Sequence, residues 1–177
     1  MRRRELLVAL LAAPTALAAG CGYKRVDSGS SLSKSFKTIA VPTFRNPSLR
    51  YKVEQRFTDA VTRELLRRDR KLRITSDTEH ADLELTGEIK DLRSGGALLD
   101  DTGRTRVFQV VVVVGVTLRD RVNKKVLFDN QRMVFRGEYE LAGDPESFYN
   151  EEGPAIERLA RDFAESVVST VLLGGFQ

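Results

Sequence analysis

One thiol, one imidazole and a few adjacent carboxylates are the side chains of this sequence that could carry covalent or acid–base chemistry. Cys21 is the only cysteine, which excludes an internal disulfide and a metal site built from several cysteines. His80 ends the polar run Asp77-Thr78-Glu79-His80, which is typical of a solvated loop and not of a Ser-His-Asp arrangement. The acidic pairs Asp100-Asp101 and Glu151-Glu152 suit a turn and a helix N-terminus. The sequence therefore predicts no enzyme activity and no metal site.

Motifs that bind nucleotides or cofactors are also missing from the sequence. It contains no GxGxxG, no GxxxxGK[ST] and no EF-hand loop, so no cofactor is predicted. It has no Trp and no stripe of alternating basic and aromatic residues, which argues against a platform for single-stranded nucleic acid.

The chemistry of Cys21 follows from the residues before it. Arg2, Arg3 and Arg4 precede an apolar stretch from Leu6 to Ala19, and Gly20 and Cys21 follow. This order is typical of a secretory signal, and the apolar stretch is too short to span about 30 Å of hydrocarbon. Leu17-Ala18-Ala19-Gly20-Cys21 resembles a bacterial lipobox, in which the cysteine becomes the first mature residue and carries lipid. We therefore predict a signal peptide over residues 1–20 and lipidation at Cys21.

Removal of the signal changes the charge of the chain. The full sequence has 29 Lys and Arg against 25 Asp and Glu, a net charge of +4. Residues 1–20 hold three Arg and one Glu, so the mature chain keeps 26 basic and 24 acidic residues and a net charge of +2. A nucleic-acid partner is not predicted. Residues 21–36, rich in Ser, Gly and charge, predict a lipid-anchored tether, and residues 37–177 one globular domain.

The spacing of hydrophobic residues changes twice in the first half of the domain. The run Thr38–Phe44 predicts a short strand, and helical spacing from about Ser48 predicts a helix that carries Phe57 and Leu65 on its apolar face. A brief strand is expected at 72–74. Residues 81–90 alternate and predict a strand, after which Ser94-Gly95-Gly96 predicts a loop.

The second half begins with the most hydrophobic strand, residues 106–119, which is apolar on one face and partly apolar on the other. Residues 121–124 predict a hairpin turn to a strand from Lys125 to Tyr139, with a bulge near Asp129-Asn130. Pro154 suits the first turn of a final helix that Gly174-Gly175 would end.

These elements predict an α+β fold, a two-layer sandwich of a mixed sheet of about four strands with two main helices packed on one face. The other face of the sheet would be open to water or to a partner. Its side chains would include Glu84, Glu88, Gln109, Val111 and Val113.

The mature chain resembles the lipopolysaccharide-assembly lipoprotein family, outer-membrane lipoprotein E of the Lpt transport system. The likeness spans nearly the whole mature chain in order, and no single segment carries it. The matching segments are Cys21-Gly22-Tyr23, Lys37 to Asn46, Phe57 to Leu65, Ala81 to Ile89, Gly103-Arg104, Phe135 to Tyr139, Asp144 to Phe148 and Pro154 to Ala160.

The resemblance implies a lipoprotein of the outer membrane that plugs a large β-barrel, supports its assembly and contacts lipopolysaccharide. Phosphates and acidic sugars of that glycolipid would suit basic side chains on the loops at the ends of the sheet. The residues we predict for this contact are Arg104, Arg106, Lys124 and Lys125.

A second group of outer-membrane lipoproteins shares the strand-helix-strand start of the chain. It comprises activators of peptidoglycan synthases and curli-secretion-type lipoproteins, which are binding modules of a different class. The segments Phe135 to Tyr139 and Asp144-Pro145 favour the lipopolysaccharide-assembly family.

Overall fold

The computed structural model describes residues 30–48, 50–99, 101, 103, 105–140 and 147–173. The secondary-structure elements follow along the chain in the order helix, strand, helix, four strands and helix. The elements are α1 (Ser31–Ser35), β1 (Thr38–Ala40), α2 (Val53–Arg68), β2 (Arg73–Thr75), β3 (Leu83–Leu99), β4 (Thr105–Asp120), β5 (Lys125–Glu140) and α3 (Ser147–Leu173). Cys21 and the predicted signal peptide lie outside the described residues.

The five strands form one mixed sheet in the order β2-β1-β3-β4-β5. β1 pairs in parallel with β2 and β3, because α2 returns the chain to the starting end of the sheet. β3, β4 and β5 are joined by short connections and pair antiparallel. The predicted fold class is confirmed, with five strands in place of about four.

Three boundaries differ from the sequence-based expectation. β1 ends at Ala40 and does not reach Phe44, since Pro42 has no N–H for a ladder bond. Ser94-Gly95-Gly96 is not a loop but part of β3, paired with residues 108–110 of β4. α3 begins at Ser147, so Pro154 lies inside it and not in its first turn. Proline is favoured in the first turn and disfavoured in a helix interior, where it lacks an N–H for the helical hydrogen bond, so residue 154 indicated a later helix start than the structure has.

The two long helices cover one face of the sheet and form the core with it. α2 and α3 run parallel. Two contacts show this: Arg56 Nη1 donates to the Gly153 carbonyl (2.9 Å), and Arg63 pairs with Glu157 further along both helices. Phe163 of α3 sits at the centre of this layer. Its ring contacts Phe44 (6.0 Å between centroids), Phe57 of α2 (5.2 Å) and Phe135 of β5 (5.5 Å).

The domain has two distinct ends. β1, β3 and β5 begin at one end, where β4, α2 and α3 finish, and we name this the tether end because Ser30 enters there. The backbone N–H and the hydroxyl of Ser30 both donate to buried Asp69, the residue that follows α2. The distal end is the opposite one, where β3 passes into β4 and α3 begins.

Candidate functional site: the open face of the sheet

β4 is apolar on both faces, and the helices cover only one of them. Val110, Val112 and Val114 are fully buried beneath the helices. Val111 and Val113 point to the opposite face, together with Val134, which pairs with Val113 from β5. All three are half-buried, although no helix of the described chain packs on them. An apolar strip therefore runs along the middle of the open face, as predicted for Val111 and Val113.

Arginines border this strip on both sides. Val111 pairs with Arg93 of β3 and with Arg136 of β5, so the three side chains form one row across the sheet. Two strand spacings separate the arginines, about 10 Å. In the next row, Asp91, Val113 and Val134 lie side by side.

Bulges on both neighbours of β4 bring further polar side chains to this face. β3 has one extra residue, Lys90, between the pairs of Ile89 and Asp91, and β5 has two residues, Gln131 and Arg132, opposite Gly115. The predicted bulge near Asp129-Asn130 is thus found one residue further along the strand.

Gly115 leaves room for a contact across β4. Lys90 Nζ donates to Gln131 Oε1 (2.9 Å), and a side chain on Gly115 would come within 2.8 Å of Lys90 Cε. The Gln131 amide in turn donates to Thr117 Oγ1 (3.1 Å), whose hydroxyl donates to Asp129 Oδ1 (2.7 Å). The bond from Thr117 and a second bond that Gln131 donates to Asp129 hold the pKa of the Asp129 carboxyl below its usual range. The resulting polar network closes the groove toward the tether end.

The strip and its border enclose two adjoining depressions of about 220 and 370 Å³. The smaller has the three valines as its floor and Asp91, Arg93, Arg132 and Arg136 around them. We refer to both depressions together as the open-face groove.

The cations of the groove differ in their pairing. Arg93 forms a salt bridge with Asp91 (Nη2 to Oδ2, 2.5 Å), and this contact lowers the pKa of the Asp91 carboxyl. Arg132 and Arg136 are exposed, and within the described chain no carboxylate lies within salt-bridge distance of either. Two guanidinium groups beside an apolar floor suit a ligand with both an anionic group and hydrocarbon, since guanidinium binds phosphate and carboxylate through two parallel bonds.

The predicted basic residues that the structure describes are not in this groove. Arg106 is exposed near the distal start of β4, whereas Lys124 and Lys125 are exposed at the β4–β5 turn of the tether end. β4 separates the two positions by about 45 Å at about 3.3 Å per residue. Arg104 lies outside the described residues.

The groove arginines were missed because their grouping depends on strand pairing. Arg136 could have been found from the sequence, since it lies two residues after Val134 on β5 and therefore shares its face. Arg93 could not, because the predicted loop at Ser94 hid the continuation of β3 alongside Val111.

The side chain of His80, which could carry acid–base chemistry, lies on the surface of the domain. His80 is 83% exposed and its Nδ1 lies 2.8 Å from Asp77 in the loop before β3, as expected for a solvated histidine. Among the described residues, no three His, Cys, Asp or Glu side chains are grouped so that they could hold a metal ion. None of the described helices has the length and apolar character needed to cross a membrane.

A comparison with protein families identifies the family of the chain. The family model LptE, described as lipopolysaccharide-assembly, matches residues 36–171, which is most of the chain. The chain belongs to the LptE family. No curated protein matches it at a significant level.

Solved structures share the fold of this LptE-family chain at low sequence identity. Uncharacterized lipoprotein B from Nitrosomonas europaea superposes with a TM-score of 0.55 at 14% identity, covering 77% of this chain and 83% of its own. The rare lipoprotein B from Shewanella oneidensis has a TM-score of 0.53 at 11% identity, covering 76% and 92%. The hypothetical protein CT253 from Chlamydia trachomatis has a TM-score of 0.53 at 14% identity, covering 77% and 98%. At these identities the likeness concerns the fold.

Proposed function

We propose that this LptE-family chain is an outer-membrane lipoprotein, acylated at Cys21, that sits as a plug within a large β-barrel protein, supports its assembly and binds lipopolysaccharide. The observation that carries the glycolipid part is the open-face groove. Its valine floor accepts hydrocarbon. Arg132 and Arg136, which have no described carboxylate within salt-bridge distance, can donate hydrogen bonds to phosphate. Membership of the LptE family supports the same ligand.

The lipid anchor is supported by the sequence and by the place where the chain enters the domain. Cys21 is the only thiol and follows a signal-like segment, and three acyl chains, as lipoprotein maturation supplies, exceed the two signals that stable anchoring needs. Ser30 then joins the fold at the tether end. Arg104, Arg106, Lys124 and Lys125 remain predicted glycolipid contacts, and the three of them that the structure describes lie outside the groove.

Affinity purification of the detergent-solubilised protein from its native membrane tests the barrel part of this proposal. We expect a very large β-barrel protein to be recovered at near-equal amounts with the lipoprotein. Recovery of a peptidoglycan synthase without any barrel would instead favour the second lipoprotein group and overturn the plug role.

A further inference from the structure

Several chain segments that reach the tether end present exposed basic side chains there, whereas the last turn of α3 has none. They come from α1 and the start of β1, from the α2–β2 connection and from the β4–β5 turn. None of them has a described carboxylate within salt-bridge distance. The seven residues, which we name the tether-end cations, are Lys34, Lys37, Arg70, Lys71, Arg73, Lys124 and Lys125.

Three carboxylates at the same end are turned toward the protein, whereas Asp77 and Glu79, in the connection that leads to β3, are exposed. Asp69 is fully buried and accepts hydrogen bonds from Ser30. Asp82 accepts from two backbone N–H groups at the start of β1, and Asp120, 4% exposed, accepts from the backbone and side chain of Asn123. The outward surface of this end therefore carries more exposed cations than exposed carboxylates.

Apolar side chains lie exposed among these cations. Of the seven large hydrophobic residues most exposed in the described chain, four belong to this end: Leu66 (53%), Val122 (69%), Val126 (47%) and Leu173 (77%). Exposed apolar groups interspersed with basic ones are characteristic of surfaces that rest on membranes.

The distal end has a different charge pattern. Exposed Asp101, Glu138, Glu140 and Glu151 lie there beside basic residues such as Arg106. The basic surface is thus a property of one end of the domain and not of the whole protein.

The position of the tether identifies what this surface meets. Cys21 lies nine positions before Ser30, a stretch that can span at most about 32 Å, so an acylated Cys21 keeps this end near the bilayer. Four strand spacings make the sheet about 19 Å wide at this end. We propose that, before the domain enters a barrel, the tether-end cations rest on anionic phospholipid headgroups and fix the orientation of the domain on the membrane. This inference rests on the lipid anchor of the proposed function, since acyl chains on a tether hold the domain without orienting it.

The test is hydrogen–deuterium exchange on the full acylated protein, purified from membranes and reconstituted into two kinds of vesicle. One is phosphatidylcholine alone and the other contains about 30% phosphatidylglycerol, so that only the second carries the charge that attracts basic residues. We expect amides of residues 68–73 and 121–125 to exchange several-fold more slowly on the anionic vesicles, and 0.5 M NaCl to remove the difference.

Two variants with equal charge change separate this effect from general electrostatics. Arg70→Glu, Lys71→Glu, Lys124→Glu and Lys125→Glu together should abolish the protection. The matched control is Arg45→Glu, Lys52→Glu, Arg158→Glu and Arg161→Glu, whose exposed side chains lie away from the tether end, and it should keep the protection.

Flotation of the same samples distinguishes the two proposals. Protein that floats with both vesicles but exchanges equally on them would overturn the headgroup contact and leave the anchor intact. Protein that floats with neither would overturn the anchor itself. Protection that requires lipopolysaccharide or an added barrel protein would assign the cations to that partner and also overturn the contact.

Discussion

Arg93 and Arg136 lie on opposite sides of Val111 in a single row across three strands. Arg93 is paired with Asp91, whereas Arg136 has no described carboxylate within salt-bridge distance, so the two guanidinium groups are not equivalent. The free charge of the groove is concentrated on the β5 side, at Arg132 and Arg136. A phosphate bound there would lie beside the valine floor, which is the arrangement that a phosphorylated lipid requires.

The two faces of β4 should respond differently to the same kind of substitution. Val112→Ala removes methyl groups from a fully buried position and should lower the free energy of unfolding by about 2 kcal/mol. Val113→Ala, on the open face, should cost well under 1 kcal/mol and instead weaken glycolipid binding. Urea denaturation and binding to immobilised lipopolysaccharide measure the two effects, and equal destabilisation by both variants would show that the open face is covered.

Gly87 is required by the approach of Phe44. A Cβ at Gly87 would lie 2.4 Å from two carbons of the Phe44 ring, which is itself buried against Phe163. Gly87→Ala should therefore destabilise the domain by about 1–3 kcal/mol. Gly95→Ala is the matched control on the same strand, because nothing lies within 4 Å of its Cβ position. Thermal unfolding should show a clear decrease for the first variant and none for the second.

Asp82 should contribute to the acid sensitivity of the fold. The Lys37 amide donates to its carboxylate (2.8 Å), and this bond holds the pKa of Asp82 below its usual range despite the opposing effect of burial. A carboxyl whose pKa is lower in the folded state stabilises the protein above its unfolded pKa, about 3.9, and loses that contribution as the pH falls through the folded value.

We therefore expect the free energy of unfolding to decrease below about pH 4, and Asp82→Asn to make this decrease shallower. Denaturant unfolding between pH 7 and pH 2.5 measures it. Asp77→Asn serves as the comparison, because Asp77 also has a lowered pKa but lies in an exposed loop beside His80. If the free energy of unfolding of Asp82→Asn decreases with pH as steeply as that of the wild type, Asp82 does not contribute to the acid sensitivity.

Replacement of Cys21 tests the anchor in cells. Cys21→Ala removes the only thiol and with it the site of acylation, so the protein should move from the outer-membrane fraction to a soluble periplasmic fraction. Fractionation followed by immunoblotting measures the shift. A variant that remains membrane-bound in cells depleted of the barrel protein would show that Cys21 is not the anchor.

Much of the fold could be predicted because each element has its own periodicity. The alternation in β4, the helical spacing around Phe57 and the turn at residues 121–124 are local signals, and all three are found. The full length of β3 was not predictable in the same way. Ser94-Gly95-Gly96 has the local composition of a loop, and only pairing with β4 keeps it extended.

The candidate site illustrates the same limit. The apolar second face of β4 was visible in Val111 and Val113, whereas the arginines beside them come from strands about 20 and 25 residues away in sequence. Their positions depend on register and on the two bulges near Gly115. The predicted basic residues were chosen by loop position, and the structure places Arg106 and Lys124 at opposite ends of the sheet.

Direct binding of purified protein to lipopolysaccharide tests the central claim most directly. Arg132→Glu with Arg136→Glu should weaken binding about tenfold or more, since two charge-assisted contacts are replaced by repulsion. Arg158→Glu with Arg161→Glu, exposed on α3 with the same charge change, should bind as the wild type does. Arg104→Glu with Lys124→Glu, which tests the residues predicted from the sequence alone, should have a smaller effect. Wild-type affinity in Arg132→Glu with Arg136→Glu, in a protein that still folds, would contradict the assignment of the open-face groove.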